Sequence, residues 1–122
     1  MSEPVDVLVI DDNDLHLQYM KDLLTANGYT SQTLDDSSKA VENVFAVKPR
    51  LIILDLMMPR LDGLTVLKRI RDHDEFKDVP IIIYTGKSYP IDEKKAYNFG
   101  ANSYIVKPVK GSVIIEEVRK YL

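Results

Sequence analysis

The sequence contains no cysteine among its 122 residues, which excludes several kinds of site. A chain without cysteine has no disulfide, no thiolate ligand for a metal and no cysteine nucleophile. Long apolar runs are also missing, because no stretch approaches the roughly 18 consecutive apolar residues of a membrane span. The N-terminal stretch MSEPVDV lacks the basic region followed by an apolar region that marks an export signal. We therefore expect a cytoplasmic protein with no membrane contact.

Positive charge is not in excess either. The 16 lysines and arginines are outnumbered by 19 aspartates and glutamates, which gives a net charge of −3 at pH 7. Because nucleic-acid-binding domains usually carry a basic surface, direct binding of DNA or RNA is not expected. A length of 122 residues and a hydrophobic content of 45% are typical of one globular domain, so we expect residues 1–122 to form a single domain.

Five apolar segments alternate with five helical patterns along the chain. The predicted strands are 5–10, 29–34, 51–54, 80–84 and 103–106. Helices are predicted over 14–26, from a cap at Ser37 or Ser38 to just before Pro49, around 64–70, over 91–99 and from 112 onwards. Strands that are apolar on both faces belong to parallel sheets covered by helices on both sides. The pattern predicts an α/β fold with a five-stranded parallel sheet and five helices.

Polar residues with complementary charges follow four of the predicted strands. Asp11 and Asp12 follow the first strand, Asp55 the third, Thr85 the fourth and Lys107 the fifth. Functional residues of open parallel sheets gather beyond the carboxyl ends of the strands, so we expect these side chains to meet. Two carboxylates about 4 Å apart repel by about 1 kcal/mol even in water. Crowded carboxylates therefore require a cation. Their oxygen atoms are the ligands that Mg²⁺ prefers, and Lys107 would supply a second positive charge.

Each of these residues has an ordinary explanation when it is taken alone. Asp12 is at a position typical of a loop former or helix cap, and Lys107 alone would be a solvated surface lysine. Thr85 alone would be a turn residue, and Tyr104 a half-buried aromatic of a strand. The occurrence of complementary chemistry at four separate strand ends favours a functional site.

Four segments of the chain resemble the receiver domain of two-component response regulators. They are VLVIDDN at 7–13, LIILDLMMPRLDG at 51–63, IIIYTG at 81–86 and GANSYIVKP at 100–108. The resemblance covers essentially the whole chain. It implies a flavodoxin-like, doubly wound (βα)5 fold over residues 1–122. The fifth helix leaves no segment for an effector domain in this sequence, as expected either for a stand-alone receiver or for a receiver isolated from a larger protein.

The resemblance also implies a phosphorylation site and a metal site. Asp55 would be the phosphoacceptor, taking a phosphoryl group from the phosphohistidine of a sensor histidine kinase or a histidine phosphotransfer protein. Asp12 would bind Mg²⁺ directly and Asp11 mostly through water. Asp55 itself and the main-chain carbonyl of Met57 would complete the protein ligands.

Further expectations concern the response to phosphorylation. By resemblance, Thr85 and Lys107 would contact phosphoryl oxygens, Thr85 and Tyr104 would act as the switch, and the Lys107–Pro108 peptide bond would be cis. The surface formed by the fourth helix, fifth strand and fifth helix would then change for a downstream target protein. Such a domain is a signalling phosphoacceptor that catalyses its own phosphorylation and dephosphorylation, and not a conventional enzyme.

The residues around the acceptor predict a comparatively long-lived phosphoryl group. Hydrolysis requires a water in line with the bond from Asp55 to phosphorus. Met57 is apolar, and Lys87 has donors but no acceptor, so neither side chain can accept a proton from that water.

Three other functions agree less well with the sequence. An aspartyl-phosphate phosphatase or mutase normally has a second aspartate two residues after its nucleophile, where this chain has Met57. A nucleotide binder would need glycines that cradle phosphates, and the turn DDNDLH has none. A degenerate receiver that acts only as a protein-interaction module is disfavoured, because all the key residues are present.

Overall fold

The computed structural model describes residues 4–122. The first three residues, which belong to the MSEPVDV stretch and to the expected domain 1–122, lie outside the described residues. The strands are β1 (Val7–Ile10), β2 (Ser31–Leu34), β3 (Leu51–Leu54), β4 (Ile81–Thr85) and β5 (Ser103–Val106). The helices are α1 (Asp14–Ala26), α2 (Ala40–Val47), α3 (Gly63–Arg71), α4 (Pro90–Asn98) and α5 (Gly111–Tyr121), with short 3₁₀ turns at Ser37–Lys39 and Asp74–Phe76. The predicted fivefold alternation of strand and helix is confirmed.

All five strands pair in parallel, in the order β2-β1-β3-β4-β5. The chain runs outward from β1 to β2 and then returns to place β3 on the other side of β1. This reversal makes the carboxyl ends of β1 and β3 the switch point of a doubly wound sheet, where ligands bind in such folds. The fold class is therefore confirmed. None of the helices within residues 4–122 combines the length and the apolar character required to span a bilayer.

Successive residues of the central strands point into two different cores. Leu8 and Ile10 of β1 pack on the side covered by α2, α3 and α4. Val7 and Val9 of the same strand pack on the side covered by α1 and α5. Because side chains alternate across a strand, a run that is apolar at every position is required when both faces are covered.

The structure moves several predicted boundaries by one or two residues. β1 and β2 each begin two residues later than predicted, and α4 and α5 each begin one residue earlier. The change at β4 matters most, because Thr85 is the last residue of the strand and is fully buried, and not a turn residue.

The predicted cap at Ser37 or Ser38 is wrong. The carboxylate of Asp36 accepts a hydrogen bond from the Ser38 amide at 3.0 Å, so it caps a 3₁₀ turn that precedes α2. Ser37 is buried, and its hydroxyl donates to the carbonyl of Pro59 at 3.0 Å and accepts from the amide of Leu61 at 3.1 Å. This serine therefore connects the segment after β2 to the segment after β3.

Candidate functional site

Backbone hydrogen bonds fix the residues that follow the central strands. The amide of Asp55 donates to the carbonyl of Ile10 at 3.0 Å, and that of Lys107 donates to Thr85 at 2.8 Å. Each bond extends the pairing of the sheet by one residue. The backbone positions of Asp55 and Lys107 are therefore fixed by the sheet. Asp11 and Asp55 consequently project at the same edge of the sheet, as predicted.

Three carboxylates come together at this edge. Asp11, Asp12 and Asp55 each offer one oxygen, and these oxygens all lie within 4.8 Å of one another. Asp12 is exposed, whereas Asp11 and Asp55 are only 5% and 7% exposed. Asp55 is therefore nearly buried, although it stands at the end of its strand. Mutual repulsion at such depth favours a bound cation, and a set of carboxylate oxygens fits the preference of Mg²⁺.

The ammonium of Lys107 lies between two of these carboxylates. Its Nζ is 2.7 Å from Asp11 Oδ2 and 3.1 Å from Asp55 Oδ2, as predicted for a second cation at the site. Burial by itself would lower the pKa of Lys107, but the hydrogen bond and charge of Asp11, followed by the charge of Asp55, raise it above its ordinary value. The lysine is therefore charged at neutral pH. The ring of Tyr84, with its centroid 5.1 Å from Nζ, adds a cation–π contact.

The other oxygen of Asp55 faces its own loop. Asp55 Oδ1 accepts a hydrogen bond from the amide of Met57 at 3.0 Å. The Met57 side chain is 53% exposed and lies beside Gly86, where an added Cβ would be 3.7 Å from its sulfur. Met57 thus lies between the segments that follow β3 and β4, next to the Asp55 carboxylate.

The two proposed switch residues contact the segment after β4. Thr85 Oγ1 accepts a long hydrogen bond of 3.4 Å from the amide of Lys87, which leaves the hydroxyl proton available. The hydroxyl of half-buried Tyr104 donates to the carbonyl of Lys87 at 2.8 Å. Burial, followed by the charges of Asp92 and Glu93, raises the pKa of Tyr104 to about 12, so its hydroxyl stays protonated. The Lys107–Pro108 bond is cis, as predicted.

Sequence reasoning missed one residue of the site, His16. Its Nδ1 lies 2.9 Å from Lys107 Nζ and 3.5 Å from Asp11 Oδ2. A signal was present in the sequence, because a helix that begins directly after the acidic pair places its first turn beside the same sheet edge. Which of the first-turn side chains faces the lysine depended on the tertiary structure.

The model of the response regulator receiver domain family matches residues 7–119 of this chain. The chain belongs to this family. A curated relative, the polar-differentiation response regulator DivK of Brucella anthropi, is 31% identical over 119 residues, which cover 98% of this chain and 97% of DivK. Family membership agrees with the order of acidic, hydroxyl and cationic residues along the strand ends, and it makes this receiver domain a phosphoacceptor of two-component signalling.

Solved structures of receiver domains share the fold. The chemotaxis protein CheY4 of Vibrio cholerae is 25% identical, with a TM-score of 0.90 over 98% of this chain and 100% of CheY4. The receiver domain of a sensor histidine kinase from Pseudomonas aeruginosa PAO1 is 24% identical, with a TM-score of 0.87 over 98% of each chain. In that kinase domain a magnesium ion is coordinated in the active site cleft. At this identity the likeness establishes the fold.

Proposed function

We propose that Asp55 of this receiver domain accepts a phosphoryl group from the phosphohistidine of a partner protein. The observation that carries the proposal is the setting of the Asp55 carboxylate, with one oxygen on Lys107 and the other on the Met57 amide. Two further carboxylates stand within 4.8 Å of it. A carboxylate held by these two hydrogen bonds is an oriented nucleophile. The neighbouring Lys107 can offset the negative charge of an incoming phosphoryl group.

The transfer forms a bond between an Asp55 oxygen and phosphorus and breaks the phosphorus–nitrogen bond of the donor. The electron pair of the broken bond remains on the departing imidazole, which takes up a proton. Negative charge is carried by the phosphoryl oxygens during the transfer, so the reaction requires positioning and charge neutralisation more than further covalent chemistry. Lys107 supplies positive charge next to the acceptor, and the Thr85 hydroxyl supplies a donor from the end of β4.

The residues present fit a magnesium ion. Asp12 would bind it directly, Asp11 mostly through water, and Asp55 together with the carbonyl of Met57 would complete the protein ligands. When bound, Mg²⁺ offsets the excess of carboxylates and polarises the phosphoryl oxygens. Support for this assignment comes from the donor set itself, in which three carboxylates share a space with one ammonium group.

Phosphorylation would be communicated through Thr85 and Tyr104. The acyl phosphate adds about −1.5 to −2 charge beside Thr85. If the Thr85 side chain moves towards a phosphoryl oxygen in order to donate its hydroxyl proton, the weak hydrogen bond that Thr85 Oγ1 accepts from the Lys87 amide is lost. Tyr104 holds the carbonyl of the same residue, so the two contacts couple Asp55 to the surface of α4, β5 and α5. The result is a shift in the population of surface conformations.

The proposal extends to partners, compartment and turnover. A sensor histidine kinase or a histidine phosphotransfer protein would supply the phosphoryl group, and a downstream protein would read the changed surface, all in the cytoplasm. Family membership supports these assignments. The domain would also hydrolyse its own acyl phosphate slowly, since Met57 and Lys87 offer no acceptor for the proton of an attacking water.

Intact-mass measurement tests the assignment of Asp55. The protein is incubated with a small-molecule acyl phosphate, with and without Mg²⁺, beside Asp55→Asn. We expect the wild type to gain one phosphoryl group only when Mg²⁺ is present, and the variant to gain none. A variant that is phosphorylated as fast as the wild type would show that Asp55 is not the acceptor. A wild type that gains nothing would support a module that acts only through protein contacts.

A further inference from the structure

The Lys107 ammonium has a hydrogen-bond partner to which the proposed function gives no role. Nζ lies 2.9 Å from Nδ1 of His16, in addition to its contacts of 2.7 Å with Asp11 and 3.1 Å with Asp55. An ammonium group has three N–H donors and no acceptor, so these three contacts use all of its donors. Nδ1 of His16 must therefore accept, and the neutral imidazole carries its proton on Nε2.

A closed cycle of hydrogen bonds holds His16 in this position. The amide of Asn13 donates to Asp11 Oδ1 at 3.0 Å, and Asn13 Oδ1 in turn accepts from the amide of His16 at 3.1 Å. The imidazole of His16 accepts from Lys107, which donates to the second oxygen of Asp11. The start of α1 is thus connected both to Asp11 and to the lysine, which lies 91 residues away from His16 in the chain.

We infer that His16 is a positioning residue for Lys107 during phosphoryl transfer, an inference that rests on the proposed function. In the unphosphorylated protein one N–H of Lys107 donates to Asp55 Oδ2. When Asp55 becomes an acyl phosphate, a phosphoryl oxygen accepts this hydrogen bond instead. Asp11 is at that moment shared between the lysine and the metal site. His16 then remains the acceptor that belongs to Lys107 alone. Because a neutral imidazole adds no negative charge, it orients the ammonium without increasing repulsion at the site.

Three variants separate this role from a general effect on the fold. His16→Ala and His16→Leu remove the acceptor, and the leucine keeps apolar bulk. His16→Asn retains an acceptor, because Oδ1 of asparagine is attached at the same branch point as Nδ1 of histidine. Leu15→Ala is the matched control, since Leu15 is the preceding residue of α1 and is 81% exposed.

Three quantities are measured for each variant: the affinity for Mg²⁺ alone, the affinity for beryllofluoride as a phosphoryl analogue in saturating Mg²⁺, and the rate of phosphorylation by a small acyl phosphate. For His16→Ala and His16→Leu we expect beryllofluoride affinity and phosphorylation rate to fall about three- to tenfold, as for one lost hydrogen bond of ordinary net strength at a side chain that is 51% exposed. Mg²⁺ affinity should change less than about twofold, while His16→Asn and Leu15→Ala should resemble the wild type.

Two results would overturn the inference. One is wild-type behaviour of the alanine and leucine variants, and the other is equal impairment of alanine, leucine and asparagine. The proposed function can fail separately, because in that case the wild type itself takes up no phosphoryl group. The ¹⁵N shifts of the His16 imidazole give a readout without any reaction, and a proton on Nδ1 in the wild type would also contradict the inference.

Discussion

Two neighbouring loops at the candidate site are held in different ways. The acceptor loop, residues 56–62, is tied to the segment after β2 by the Ser37 hydroxyl and by an ion pair of 2.9 Å between Arg60 and Asp36. The switch loop, residues 86–89, contacts β5 through the hydrogen bond from Tyr104 to the carbonyl of Lys87.

This difference matches what each loop has to do in the proposed function. The acceptor loop presents the Met57 amide to the Asp55 carboxylate, and in the proposed function it would also present the Met57 carbonyl to the metal. Such groups require a fixed geometry. The switch loop is positioned through the two residues proposed to respond to the phosphoryl group. A loop held by one long hydrogen bond to Thr85 and one hydrogen bond from Tyr104 can change its position when these side chains move, without disturbing the acceptor loop.

The largest expected effect compares Gly63, the first residue of α3 after the acceptor loop, with Gly86 in the switch loop. A Cβ at Gly63 would overlap the backbone oxygen of Asp55 and lie 2.5 Å from the Cα of Leu56, whereas a Cβ at Gly86 meets only the Met57 sulfur at 3.7 Å. Gly63→Ala should lower the free energy of unfolding by about 3 kcal/mol or more, although alanine normally favours helix. Gly86→Ala should change it by about 0.5 kcal/mol or less.

Urea unfolding of both alanine variants, followed by circular dichroism, checks this pair. Equal stability of the two variants would mean that the backbone around Gly63 relaxes easily. The acceptor loop would then not be the more rigid of the two.

The next largest effect concerns the serine that holds the acceptor loop. Ser37→Ala removes both a donor and an acceptor from buried surroundings, leaving the Pro59 carbonyl and the Leu61 amide without that partner. We expect a loss of about 2 kcal/mol in the free energy of unfolding. Ser38→Ala is the control, because Ser38 is exposed and bonds only to nearby Asp36, and should cost well under about 1 kcal/mol. If the control is as unstable as Ser37→Ala, burial of Ser37 is not what matters.

A smaller and pH-dependent effect is expected at Asp62, the last residue of the acceptor loop. Its carboxylate caps α3 by accepting hydrogen bonds from the amide and the hydroxyl of Thr65 at 3.1 and 3.0 Å. Partial burial acts to raise the pKa of Asp62, but these hydrogen bonds outweigh it and lower the pKa below its ordinary value. Asp62→Ala should therefore cost about 1 kcal/mol at neutral pH.

The sign of the pH dependence follows from the lowered pKa. The ionised cap contributes fully above the ordinary aspartate pKa of about 3.9, and its contribution is lost as the pH falls through the lower folded-state value. Unfolding of wild type and Asp62→Ala at neutral and acid pH should show the two converging as the pH falls through the lowered pKa of Asp62. In Asp62→Asn, which keeps a capping oxygen but cannot ionise, the difference from alanine should be independent of pH.

The smallest effect on global stability is expected at the tyrosine that holds the switch loop. Tyr104→Phe removes only the hydroxyl that donates to the Lys87 carbonyl, at a cost of about 0.5 kcal/mol. Amide hydrogen exchange should accelerate at residues 86–89 and stay unchanged at residues 56–62. Tyr89→Phe serves as control, since Tyr89 is 70% exposed. Equal acceleration in both loops would contradict the difference between them.

Strand positions and the residues at the strand ends could be predicted from the sequence because each depends on a local pattern. The uninterrupted apolar runs of β1, β3 and β4 require two covered faces, and this requirement gives the parallel sheet and the meeting of Asp11, Asp55 and Lys107. The cis bond before Pro108 came from the family resemblance alone. Boundaries were less certain, since the end of β4 at Thr85 depends on pairing with β5 and not on the side chain itself.

The sequence by itself determined that carboxylates, a hydroxyl and a lysine would share one edge of the sheet, because chain topology carries each strand end to that edge. Only the tertiary structure decided which polar groups pair. Ser37 was assigned to a local cap but reaches residues 22 and 24 positions away, and His16 reaches Lys107 across 91 positions. Hydrogen bonds act over about 3 Å, and their partners are set by the packing of whole helices and loops, which no local pattern contains.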